Sequence, residues 1–369
     1  MSADILLLDT DTEVALRDSV RGLLAGRCAP AQVLRAYAGD RSLTGTLWPV
    51  IATELGLAGL LIPENRGGAG GSARDAAVVL AELGRFVAPV PFLTSSVIAA
   101  TVLLAGDSGL LGDLAAGDST VALLAPFSAA TSAQVPGLHR DADGRISGRV
   151  TNVAGALEAD TVLAAVRTAK GTEVHAIPAA AVTVEPVISL DMTRPLADVT
   201  IDRAASEPVV GAQAGTAALR AGLRAGAVLL AAEQVGVAAW CLDTTVEYLK
   251  TRQQFGRVIG GFQAVKHRLA ELYVEVESAR AVAGYAAGTL AAGDPDTEIA
   301  AAVAAAYCGD IAVHAAEEAV QLLGGIGMTW EHPAHLYLKR AKADQIGLGG
   351  PAQHRAGLAE LVQLRLGTS

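Results

Sequence analysis

Apolar positions change their period twice along this chain. Up to about residue 115 they recur at helical spacing: Val14, Leu16, Val20, Leu23 and Leu24 follow the acidic, cap-like run Asp11-Thr12-Glu13. Further helices are expected over Leu47–Leu55 and over Ala73–Phe86, the second opened by Ser72 and ended near Pro89. Between them, Pro63-Glu64-Asn65-Arg66-Gly67-Gly68-Ala69-Gly70-Gly71 is glycine-rich. No Lys-Ser or Lys-Thr pair closes it and no strand clearly feeds it, so it reads as a plain loop rather than a phosphate loop.

From about 119 to 210 the pattern shortens to β-branched runs broken by turns: Thr120–Leu124, Arg145–Val153, Thr161–Val166, Val174–Ile177, Val182–Ile188 and Val199–Ile201. Asp143-Gly144 is a hairpin turn, since glycine tolerates the positive φ such turns need. Half a dozen short strands at this spacing predict a small barrel or sandwich.

After about 213 the helical period returns. Leu223, Leu230, Val237 and Cys241 share a face, and Val265, Leu269, Leu272, Val276, Ala279 and Ala283 step by four and three along a second helix. Asp294-Pro295 has the form of an N-cap and first-turn proline opening a third helix, which ends at Gly324-Gly325. Thr329 is placed to cap a shorter helix through Ala341, and Pro351 opens the last. The chain is therefore expected to be α+β, with a helical domain over 1–115, a β-domain over 116–212 and a four-helix bundle over 213–369.

Composition narrows the function. A formal net charge of −10 argues against nucleic acid and anionic membrane as partners, since both need clustered Lys and Arg. Three scattered cysteines, Cys28, Cys241 and Cys308, form neither a disulfide framework nor a zinc spacing, and a reducing cytosol suits them. Met1-Ser2-Ala3-Asp4 lacks the basic flank of a secretory signal, and Gly, Arg, Glu or Asp interrupt the longest apolar runs. A soluble cytoplasmic protein is expected. Its apolar surplus, 51% of residues, points to a subunit interface.

Two segments of the bundle carry chemistry. Tyr248-Leu249-Lys250-Thr251-Arg252-Gln253-Gln254-Phe255-Gly256 runs on into Gly261-Phe262-Gln263-Ala264 and Lys266-His267. About seventy residues later come Gln321-Leu322-Leu323-Gly324-Gly325-Ile326-Gly327, then Thr329-Trp330-Glu331-His332-Pro333 and Leu336-Tyr337-Leu338-Lys339-Arg340-Ala341. By itself Arg252 is a cation at a helix end, where it helps satisfy the terminal carbonyls. Glu331 reads as part of a helix start. His332, His335 and His354 read as surface or packing residues whose spacing suits no metal.

Together these motifs, in this domain order, resemble the acyl-CoA dehydrogenases over nearly the whole chain. The resemblance implies FAD held across a subunit interface. Arg252 would lie on the FAD diphosphate, where a guanidinium matches two phosphate oxygens. Phe255 and Gln263 would lie near the cofactor. Gln321 and Gly325, with Gly324 in the same set, would approach the adenosine half. The family's proton-abstracting glutamate is a different matter. Its usual position matches Leu348 in Gly347-Leu348-Gly349-Gly350, and its alternative position on the first bundle helix matches Gly226. The β-domain stretch that touches the flavin ring, Thr-Glu-Pro-x-x-Gly-Ser in typical members, is Pro126-Phe127-Ser128-Ala129-Ala130-Thr131-Ser132 here. A substrate-side arginine matches Ala227, with Arg224 close by.

The chain thus keeps residues for a neighbour's flavin and lacks a base of its own. It resembles the base-lacking subunit of actinobacterial heteromeric, steroid side-chain type enzymes. That implies a homologous partner supplying the glutamate, an α2β2 assembly and an acyl-CoA substrate. The alternatives are a homomeric flavoenzyme with a relocated base such as Glu233, roughly 10 Å along the helix from Gly226, or a non-enzymatic binding or assembly protein. Acyl chain, electron acceptor and partner identity are not legible in the sequence.

Overall fold

Thr10 opens the first helix with a capping box. Its Oγ1 accepts from the Glu13 amide at 3.2 Å and its own amide donates to Glu13 Oε2 at 2.6 Å. The computed structural model describes residues 5, 7–131 and 135–364, so Met1–Asp4 and Ser132 lie outside the described residues. The N-terminal helices are α1 (Asp11–Arg27), α2 (Pro30–Tyr37), α3 (Ser42–Pro49), α4 (Ala73–Arg85), α5 (Ala100–Leu103) and α6 (Leu110–Ala116). The helix expected at Leu47–Leu55 begins earlier and changes character at Pro49. That residue lacks an amide donor, and Val50–Glu54 continue in wider π-type turns. The Pro63–Gly71 stretch is a loop with one 3-10 turn, pinned by Arg66 donating to the carbonyls of Leu104 and Gly106.

The strands β1 (Val121–Leu123), β2 (His139–Arg140), β3 (Ile146–Ala154), β4 (Thr161–Thr168), β5 (Gly171–Pro178), β6 (Thr183–Val187), β7 (Leu196–Ala204) and β8 (Glu207–Val210) form two four-stranded sheets. Their orders are β1-β4-β5-β8 and β2-β3-β7-β6, with β1 and β4 parallel and the other pairs antiparallel. Val162, Ala164 and Val166 of β4 face the core between the sheets, while Leu163 and Ala165 face the helical core. Burial on both sides explains why this strand reads as a continuous apolar run. β2 and β8 are too short and polar to show a period and were not legible.

The C-terminal part holds α7 (Gly215–Thr251), a small hairpin of β9 (Gln253–Gln254) and β10 (Arg257–Val258), then α8 (Gln263–Ala292), α9 (Thr297–Leu323), α10 (Ala334–Ile346) and α11 (Pro351–Leu361). Two helix starts fall later than the sequence suggests. Asp294 forms a turn of its own, accepting from the Asp296 amide and from Thr297, so α9 starts at Thr297. Pro333 disfavours helical geometry at His332, so α10 starts at Ala334 rather than near Thr329. Glu331 is left exposed in the preceding turn.

α7 is the central pillar, packed against α4, α8 and α9. It crosses α4 so closely that a Cβ on Gly236 would lie 1.9 Å from Ala81 O, and one on Gly84 would lie 2.2 Å from Glu233 O. Only glycine permits that approach. The interruptions noted in the sequence do not break the helices: α7 and Thr297–Met328 are each long and apolar enough to cross a membrane by length and composition. In α7, 94% of the apolar window is buried inside the protein, as expected of a core helix.

Candidate functional site

Gly226 on α7 and Leu348 in the loop between α10 and α11 are far apart in sequence but meet in space. A Cβ on Gly226 would lie 2.9 Å from Leu348 Cδ1 and 2.8 Å from Ile98 Cγ1. Leu348 is 2% exposed and adopts a left-handed backbone, φ 55°. Two hydrogen bonds hold it there: its amide donates to Phe127 O at 2.7 Å, and His354 Nε2 donates to its carbonyl at 3.0 Å. The space left among Thr94, Ile98, Phe127, Leu223 and Leu348 is about 20 Å³. That is room for about one water, and the lining is apolar. Among the described residues, no carboxylate or imidazole lines this void, and its volume leaves no room for a substrate chain beside Gly226 or Leu348.

Arg224 does not point into this void. It pairs with Glu298 at 3.0 Å on a groove of about 400 Å³ that also runs beside Arg220 and α11. Burial lowers the His354 pKa, so its ring is a neutral donor to the Leu348 loop.

One turn of the β-domain is locked to two helices of the C-terminal part, α7 and α10. Arg194, from the segment before β7, donates to both oxygens of Glu233 at 2.7 and 2.6 Å and to Asp344 Oδ1 at 2.5 Å. Arg340, 1% exposed, donates to Asp191 Oδ2 at 2.5 Å, Glu233 Oε1 at 2.5 Å and Thr193 Oγ1 at 2.6 Å. Glu233 is therefore a buried ion-pair partner of two guanidiniums. Both its oxygens are engaged by guanidiniums, which argues against a relocated base there. Burial first, with Glu233 and Asp191 adding, pushes the Asp344 carboxyl up to about 8 despite the nearby guanidiniums. Its Oδ2 has no hydrogen-bond partner, so an ionised oxygen there would stand buried without a donor. Two guanidiniums then face two carboxylates, and the cluster is neutral.

Arg252, Phe255, Gln263, Gln321, Gly324 and Gly325 lie elsewhere, and all six are exposed. α8 and α9 run antiparallel with Arg268 on Glu318, His314 on Glu275 and the Cys308 thiol on Ala279 O. Continuing that register brings Gln263, the first residue of α8, level with the Gly324 end of α9. Arg252 follows α7, and its carbonyl accepts from the Ile259 amide at 2.9 Å, closing the β9–β10 hairpin beside α8. All six residues thus gather at one end of the bundle. A Cβ on Gly324 or Gly325 would meet nothing within 4 Å, so the backbone there stands open to a ligand or a second chain.

Comparison with known proteins gives the family. The family model for the acyl-CoA dehydrogenase N-terminal domain matches residues 10–109, and that for the acyl-CoA dehydrogenase C-terminal domain matches 213–362. Acyl-CoA dehydrogenase IpdE2 of Mycobacterium tuberculosis is 38% identical over 92% of this chain and 93% of its own length. The chain belongs to the acyl-CoA dehydrogenase family. Members are oxidoreductases acting on CH–CH donors. Among solved structures, a variant of the Tcur3481–Tcur3483 steroid ACAD aligns with a TM-score of 0.82 and 29% identity, covering 96% of this chain and 98% of that one. The ChsE4–ChsE5 complex from Mycobacterium tuberculosis aligns with a TM-score of 0.82 and 26% identity, covering 98% and 99%.

Tested against this acyl-CoA dehydrogenase fold, the two halves of a flavin site fare differently. The exposed arginine, glutamines and open glycines at the bundle end suit the polar adenosine diphosphate half of FAD. The region of Phe127, Leu348 and Gly226 is packed shut and does not suit a substrate beside a flavin ring. The sequence points to Leu348 and Gly226 and to Phe127 only as part of the flavin-ring stretch, and gives no sign of Ile98, which closes the void with them. Leu348→Ala should therefore cost about 2–5 kcal/mol, as removal of a buried leucine does. Denaturant unfolding reads this directly, and a loss below about 1 kcal/mol would mean that the loop is not packed as described.

Proposed function

We propose that this chain is one subunit of a heteromeric, FAD-dependent acyl-CoA dehydrogenase. It supplies the adenosine and diphosphate side of a shared FAD site through Arg252, Phe255, Gln263, Gln321, Gly324 and Gly325. A homologous partner chain supplies the flavin-ring contacts and the glutamate, in an α2β2 assembly. The observation that carries this reading is the contrast within one chain. The two positions available to a base hold Leu348 and Gly226, locked against each other around about 20 Å³, while the six cofactor candidates stand exposed at the other site.

Bound FAD supplies a hydride acceptor for the β carbon of an acyl-CoA thioester. This chain's residues do the holding. Arg252 provides a fixed, always-charged fork for phosphate oxygens, and the bare backbone at Gly324-Gly325 lets an adenosine come close. The similarity to a steroid ACAD supports a bulky substrate, a steroid side-chain CoA ester among the candidates. The three cysteines are buried and unpaired, and Cys28 and Cys308 are pushed up to about 12 by burial, so their thiols stay protonated and inert. They suit the cytoplasm, where we place the protein.

The test is flavin per chain. The chain should be purified alone and together with an acyl-CoA dehydrogenase homologue from its genomic neighbourhood, and absorbance near 450 nm recorded. Little flavin alone, with about one FAD per pair that an acyl-CoA bleaches anaerobically, is the expected result. Stoichiometric flavin in the isolated chain, bleached by acyl-CoA, would overturn the partner model. Flavin in neither sample, with assembly verified, would favour a non-enzymatic binding role.

A further inference from the structure

The hairpin after α7 carries a second cation whose position the flavin motif does not explain. Gln254 pairs with Arg257 and Gln253 with Val258, and the Ile259 amide bonds to Arg252 O. Side chains alternate along such a ribbon, so Arg252, Gln254 and Arg257 share one face. Arg252 and Arg257 are diagonal neighbours across the two strands, at about 7–8 Å by the usual spacing. Arg257 is not loose: its guanidinium carbon sits 3.7 Å from the centroid of the Phe262 ring. Phe255 packs edge-on against the same ring, at 6.3 Å and 88°.

Neither Arg252 nor Arg257 has a carboxylate partner among the described residues, although most arginines of this protein do. From Tyr248 to Ala270 the sequence holds five Lys or Arg and no Asp or Glu, in a chain of net charge −10. The turn itself is costly. Phe255 has φ 54°, Gly256 has φ 72°, and Phe255 is 91% exposed. A bulky residue in a left-handed conformation on the open surface points to something that covers it.

We infer that Arg257, held flat by Phe262, is the second guanidinium of a two-arginine clamp on the FAD diphosphate, facing it jointly with Arg252. This rests on the shared-site reading proposed above. Two guanidiniums bracketing a diphosphate each donate charge-assisted hydrogen bonds to a different phosphate. The stack on Phe262 fixes Arg257 in advance, so little side-chain freedom is lost when the ligand arrives.

The experiment uses the complex as it forms in the cell, purified through a tag on this chain, stripped of flavin and titrated with FAD and with ADP. Arg257→Gln should weaken both ligands about 10- to 100-fold, the range for a charged hydrogen bond, with Arg252→Gln doing the same. Phe262→Leu should give a smaller loss with Arg257 intact. Size-exclusion elution should be unchanged in every variant. If Arg252→Gln weakens FAD and Arg257→Gln does not, the clamp is wrong and the shared site stands. If neither weakens FAD, the shared-site reading falls and the clamp with it. If Arg257→Gln dissociates the complex, or weakens FAD without weakening ADP, Arg257 acts in assembly and the inference is overturned.

Discussion

Replacing Glu233 by alanine should cost about 3–5 kcal/mol of stability, more than any surface substitution in this protein. The reason is what it leaves behind. Glu233 accepts from Arg194 on both oxygens and from Arg340 on one. Without it, two guanidiniums remain buried with a single carboxylate, Asp191, and a protonated Asp344. Glu233→Gln should cost less, because Asp344 is next to the vacated charge. With Glu233 neutral, Asp344 loses a major reason to stay protonated and can ionise to replace it. A cycle of Glu233→Gln, Asp344→Asn and the double variant, followed by denaturant unfolding at pH 7, should show strong coupling. Additive losses would mean that the two carboxyls do not share a charge balance.

Asp344 itself gives the second large effect, and it has an unusual sign. Its folded carboxyl is pushed up to about 8 by burial, against 3.8 when unperturbed. Between those values the unfolded chain has released this proton and the folded chain still holds it. Its contribution to stability is therefore complete below the unfolded value and falls as pH rises towards 8, by up to about 1.4 kcal/mol per pH unit. His332, His335 and His354 act oppositely: burial lowers all three, so they raise stability with pH up to about 6.5. Asp191 is lowered, and its contribution is lost only in acid, as pH falls through its folded value. The clean readout is thus the difference between wild type and Asp344→Asn from pH 6 to 9. The variant should lack the descending limb and gain on wild type as pH rises. Parallel profiles would show that Asp344 is ionised in the fold.

Much of the architecture was legible because local rules act over short windows. Ser72 capping α4 and Gly144 turning into β3 are each readable from a few residues. The exposed end of the bundle was legible for another reason: its residues sit in two continuous motifs. The buried ion cluster was not. Asp191, Arg194, Glu233, Arg340 and Asp344 come from three separate segments up to about 150 positions apart, and no period joins them. The signals present were a glutamate within the apolar middle of α7 and an Arg–Asp pair four apart on α10. Helix starts near Asp294 and Thr329 were misplaced because a side-chain turn and a proline outweighed cap preference. Arg257 was passed over because its role depends on hairpin register, which only backbone pairing shows.

The tight crossing of α4 and α7 also bears on how the chain is made. Gly84 and Ala81 leave the ribosome more than 140 residues before Glu233 and Gly236, which complete their packing. Until then the N-terminal helices must wait with an apolar face uncovered, and the whole β-domain is synthesised in the interval. Such a nascent chain is exposed to misassociation for a long stretch of its synthesis. Its yield in the cell should therefore depend on chaperone supply during translation more than on the stability of the finished fold.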